Sequence, residues 1–133
     1  MRKLLPPIAA SMLLGAAAQA APVDREAQLE RALAGRVAGA PVSCIDLHRV
    51  QSSQIIDDTA ILYRAGSTIY VNRPDNGADS LSRNDTMVTR LPTTRLCSVD
   101  TVTMVDPVSG TFMGVVFLGD FVPYRRVETG SAD

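Results

Sequence analysis

Alternation of apolar and polar positions is clearest at 60–64 and 68–72. In the first run Ile61 and Tyr63 share a face opposite Leu62 and Arg64. In the second Ile69 and Val71 oppose Thr68, Tyr70 and Asn72. Period-two alternation rich in β-branched and aromatic residues predicts strands, and Gly66-Ser67 between them predicts a two-residue hairpin turn. Further β-favouring runs follow at 86–91 (stopped by Pro92), 96–105 and 111–118, the last apolar on both faces and so predicted to be a central strand. Residues 121–124 predict a short edge strand, because Pro123 has no N–H for a ladder. The segment 43–50 alternates only in part and suits either a strand or a helical turn, and Ser52-Ser53-Gln54 predicts a break. Turn chemistry separates these runs at Asp57-Asp58-Thr59, across 73–85 with Leu81 as its apolar pin, at 106–110 and at Gly119-Asp120.

Only 24–35 carries a helical period. Asp24 suits the N-cap, Leu29 and Leu33 form a narrow stripe with Ala32 beside them, and Gly35 suits the stop. Residues 36–41 predict a connector. One helix before five to six short strands predicts a mainly β, small α+β fold: an antiparallel meander or a partly closed barrel.

The N-terminus changes the compartment. Met1-Arg-Lys3 is basic, 4–18 is apolar apart from Pro6-Pro7, and Ala18-Gln-Ala20 is a small-residue cleavage signal. This is the layout of a secretory signal peptide, and it outweighs an uncleaved anchor because the apolar run is short and ends in small residues. The expected organisation is therefore signal peptide 1–20, leading helix and connector 21–41, β domain 42–127 and flexible tail 128–133. The predicted location is periplasmic or secreted, with no membrane span after cleavage. With 46% apolar and 20% charged residues the chain is ordinary globular material rather than disordered. Trp is absent, so aliphatic residues must build most of the core.

Cleavage at 20 would leave 11 Arg against 14 Asp and Glu, a net charge of −3. A nucleic-acid binder would show a basic stripe instead. The arginines are scattered apart from Arg125-Arg126 and read as solvated charges.

Cys44 and Cys97 are the only cysteines. An even count in an exported chain predicts a disulfide. A metal site would need more ligands than one His offers, Cys-x-x-Cys spacing is absent, and a catalytic thiol next to His48 is the remaining alternative. Asp46 could orient His48 from the same strand face. Asp57-Asp58 could act as a carboxylate pair or a hard-cation ligand, but successive strand residues point to opposite faces, which favours a turn role. Asp75-Asn-Gly-Ala-Asp79 has calcium-loop residues without the spacing or the terminal Glu. Tyr63 and Tyr70 flank the hairpin as a cross-strand pair or as the wall of a groove. There is no Gly-x-Ser-x-Gly elbow and no phosphate-cradling or dinucleotide fingerprint.

The segments Cys-Ile-Asp-Leu-His-Arg-Val (44–50), Ile-Asp-Asp-Thr-Ala-Ile-Leu-Tyr-Arg (56–64), Leu-Cys-Ser-Val-Asp (96–100) and Phe-Leu-Gly-Asp-Phe-Val-Pro-Tyr (117–124) together resemble the DUF6491 type, small exported proteobacterial proteins of unknown function. The resemblance spans most of 44–124. It implies export, paired cysteines and one compact domain, and carries no activity or catalytic residue to transfer.

The expectation is thus a monomeric, non-catalytic binding or structural domain without cofactor or metal, whose partner is an envelope protein or a small ligand. Two alternatives remain: a small envelope hydrolase using His48 with Asp46 or Asp57, and an inhibitor of an envelope enzyme presenting the loop 73–85.

Overall fold

In the computed structural model, residues 3–4 and 24–127 are described. The signal peptide read at 1–20, apart from Lys3 and Leu4, and the tail at 128–133 lie outside them. Helix α1 (Arg25–Ala32) starts as its sequence demands: the Asp24 carboxylate accepts the backbone N–H groups of Glu26 at 3.0 Å and Ala27 at 3.3 Å. These are two of the donors that a helix start leaves unpaired. Gly35, with φ 75°, takes the left-handed conformation just past the end.

Five strands form the main antiparallel sheet. β1 (Arg36–Ala38), β3 (Ser52–Ile56), β4 (Ala60–Ala65), β5 (Thr68–Asn72) and β10 (Phe121–Arg126) lie in the order β1-β10-β5-β4-β3. The predicted hairpin is β4–β5. Ala65 faces Thr68 across the turn, and Gly66 supplies the positive φ of 60° that its first central position needs. A two-stranded ribbon joins β2 (Cys44–Asp46) to β7 (Arg95–Cys97). A third sheet is ordered β6-β8-β9, from β6 (Thr86–Val88), β8 (Thr101–Val105) and β9 (Phe112–Phe117).

Mainly β with a single α-helix, the described chain matches the predicted class, with its antiparallel strands arranged in three sheets and no closed barrel. Several local expectations are corrected. The connector 36–41 contains β1, because β10 offers it a ladder, with Arg36 facing Arg126. The expected break at Ser52-Ser53-Gln54 is the first part of β3. These polar residues are exposed, which an edge strand tolerates because only one of its sides is paired. The run 96–105 is two strands in two sheets. Asp100 splits it by accepting the Cys97 N–H at 2.7 Å, which closes a turn.

β9 is an outer strand, not a central one, and Phe112, Met113 and Phe117 are exposed. β10 is interior rather than an edge. The Pro123 carbonyl accepts from Gly39 beyond the end of β1, so the N–H that proline lacks would point to the same side, clear of the β5 ladder.

The two faces of β4 and β5 build two cores. Leu62, Ile69, Val71, Ile56 and Ala60 pack under Leu29 of α1 and Leu33 at its C-cap, so the narrow stripe docks the helix. On the other face Ile61, Tyr63, Ile55 and Phe121 pack against Ile45, Leu96, Val102, Met104, Val116, Leu118 and the loop residue Leu81. Tyr63 meets Phe121 edge to face at 5.9 Å. Cys44 and Cys97 are directly opposed in the ribbon and form the predicted disulfide, with Cα atoms 4.0 Å apart.

A groove along an open sheet edge

β3 ends the main sheet and β6 ends the smaller one, each pairing on one side only. Two adjoining cavities flank β3, one between it and α1 and the second between it and β6. One, of about 400 Å³, is lined by Gln28, Arg31, Ser52 to Gln54 and Arg64 among others. The second, of about 500 Å³, reaches Ile55, Arg83, Asp85, Thr86 and Met87. Gln28, Ser53 and Gln54 line both. The Gln28 side-chain oxygen is shielded from solvent and has no hydrogen-bond partner among the described residues. Buried polar atoms are almost always paired, so this acceptor stands out.

Beyond the C-terminal end of α1, three arginines of the main sheet gather on the face that α1 covers. Arg36 and Arg126 are paired across β1 and β10, and Arg64 lies on β4. Ala32, Ala34, Gly35 and Val127 complete a cavity of about 370 Å³ with them. Arg36 Nη1 donates to the carbonyls of Ser67 and, at 3.3 Å, Tyr124. Loss of hydration, then repulsion from Arg126 and Arg64, holds the Arg36 guanidinium below its ordinary pKa.

The candidate residues from sequence do not converge. Asp46 and His48 are both exposed. Asp46 Oδ1 accepts the backbone N–H of His48 at 2.9 Å, capping the single 3-10 turn Leu47–Arg49, so this carboxylate serves the backbone and not the imidazole. Asp57 is a tie point: Oδ1 accepts Arg83 N–H at 2.7 Å, and Oδ2 faces the guanidinium of Arg25 at 3.6 Å and that of Arg83 at 3.9 Å. Asp58 is exposed at φ 59°, in the turn.

Tyr63 and Tyr70 are cross-strand partners, and both pack into the larger core. Burial pushes the Tyr63 phenol well above its ordinary value. The loop 73–85 lies against the body. Asp75 donates its N–H to Phe117 O at 2.9 Å, Asn76 and Phe117 form a bridge, and Leu81 is buried. Among the described residues, no three His, Cys, Asp or Glu side chains group as metal ligands.

No family model, curated protein or solved structure matches this chain.

Neither the groove nor the arginine cluster could be found by spacing along the chain. Each is assembled from residues far apart in sequence: Gln28 with Ser53 and Thr86 in one, Arg36 with Arg64 and Arg126 in the other. The only local signal was the polar start of β3, which resembles a break.

Proposed function

We propose that this chain is a binding domain of the bacterial cell envelope, without catalysis of its own, whose ligand is an extended polypeptide segment laid along β3. The observation that carries this reading is the shielded, unpaired Gln28 oxygen beside an open strand edge. A strand added to an exposed edge draws affinity from main-chain hydrogen bonds and specificity from side-chain pockets. β3 carries no charge and no proline to block such pairing. The groove beside it accommodates alternate side chains of an added strand. The disulfide and the secretory layout of the N-terminus support export. The hydrolase alternative draws no support from Asp46 or Asp57, whose carboxylates are spent on backbone N–H groups and arginines. The inhibitor alternative loses its motive, because the loop 73–85 is packed down.

The test places a photocrosslinking residue at Ser53 and, as a control, at the exposed Val108. The expected result is a linear segment of an envelope protein captured from Ser53 alone. A synthetic peptide of that segment should then slow amide exchange across 52–56 and shift the Gln28 side-chain amide. Equal capture at both positions would overturn the reading. So would turnover of an ester or peptide substrate that is lost in His48→Ala.

A further inference from the structure

We infer that Arg36, Arg64 and Arg126 form a binding site for a phosphate-type dianion, which adjoins the polypeptide groove proposed above and shares Arg64 with it. The three come from β1, β4 and β10 and line one cavity of about 370 Å³ at the end of the sheet face that α1 covers. The cavity is open enough to admit a phosphate or a phosphomonoester, whose oxygens match the planar fork of guanidinium donors.

Three arginines are neutralised within the fold. Arg25, Arg73 and Arg83 each face a carboxylate, on Asp57 or Glu26. Among the described residues, no carboxylate comes within ion-pair distance of Arg36, Arg64 or Arg126. That holds for Glu30 as well, although it lines the neighbouring cavity with Arg36. The cluster is thus not neutralised by any carboxylate of the described residues. Like charges placed together destabilise a fold unless something compensates them.

Preorganisation is the second argument. The carbonyls of Ser67 and Tyr124 hold one nitrogen of Arg36, so its plane is fixed before any ligand arrives. Its charge is also partly desolvated and repelled by its two neighbours, and an incoming dianion would relieve both effects. Arg31, on the last turn of α1, lines the adjoining cavity with Arg64 and adds a fourth positive charge nearby.

The experiment titrates the full chain with inorganic phosphate against chloride at matched ionic strength. It follows the arginine side-chain N–H resonances and the binding heat. The expected result is saturable binding, with Arg36, Arg64 and Arg126 shifted and Arg83 unmoved. Arg64→Gln and Arg126→Gln, both at exposed positions, should each weaken binding by about tenfold or more, while Arg83→Gln should change it less than about twofold. A thermal melt of each variant checks folding. Vesicles of phosphatidylglycerol, compared with phosphatidylcholine, separate a lipid headgroup from a free phosphate as the source. Non-saturable shifts, or equal losses in Arg64→Gln and Arg83→Gln, would overturn the site. Arg126 does not line the polypeptide groove, so Arg126→Gln should leave the Ser53 crosslinks unchanged, and the two proposals fail separately.

Discussion

Asn72 shows how one buried polar side chain can replace a missing strand pair. It is fully buried where β5 meets β10, and its amide closes a reciprocal pair: Nδ2 donates to Gly119 O at 2.7 Å, and Gly119 N–H donates to Oδ1 at 3.0 Å. Gly119 is required there because a Cβ would sit 2.4 Å from the Arg73 carbonyl. Asn72→Ala leaves a buried donor and a buried acceptor unpaired, so it should cost about 2–4 kcal/mol in urea unfolding.

Charges act more weakly. Glu26 is held below its ordinary pKa, first by its hydrogen bond from Arg73, and Asp106 by the backbone N–H groups of Ser109 and Val108. A folded-state pKa below the unfolded one means that the stabilisation is complete above the unfolded value and lost as pH falls through the folded one. The denaturation midpoint should therefore fall between about pH 5 and pH 3, and Glu26→Gln with Asp106→Asn should flatten that slope. Glu26 is exposed and Asp106 is half-buried beside a surface turn, so the effect is small.

At the scale of elements, the ribbon β2–β7 is short and owes its permanence to the disulfide. The bridge closes a loop across a sequence separation of 53. It thereby removes unfolded-chain entropy worth about 4 kcal/mol. The ribbon supplies Ile45 and Leu96 to the larger core, so its loosening would open that core from one side. Reduction, or Cys44→Ser with Cys97→Ser, should lower the melting temperature by more than about 10 °C. Two titratable thiols in the native protein would contradict this account. Helix α1 is secured differently, by burying Leu29 and Leu33, and the Arg73–Glu26 pair (2.8 Å at both oxygens) ties its first turn to the chain beyond β5.

Over the whole molecule, the main sheet is covered on one face by α1 and on the other by the two smaller sheets. Among the described residues, none covers the outer face of β6-β8-β9. Val88, Thr101 and Phe112 are exposed there, with Thr103 and Val105 half-buried, around a shallow cavity of about 520 Å³. Phe112→Ser should leave stability unchanged within about 0.5 kcal/mol, measured by denaturant midpoint, because its ring covers no core residue. A larger loss would mean that this face is covered in solution.

Local chemistry determined a good deal without the tertiary structure: the hairpin turn at Gly66, the Asp24 cap, the two faces of β4 and β5, the buried Leu81 pin and the cysteine pairing. These rest on side-chain period, backbone permissiveness and cysteine count, all of which act over a few residues or none. Only the tertiary structure decided that Ser52-Ser53-Gln54 is a strand, that β9 lies at an edge, that β10 is interior despite Pro123, and that three distant arginines share a cavity. The physical reason is that a strand exists through its partner. Whether a segment pairs on one side, on both or on neither depends on chain brought from elsewhere, and no pattern within the segment records it.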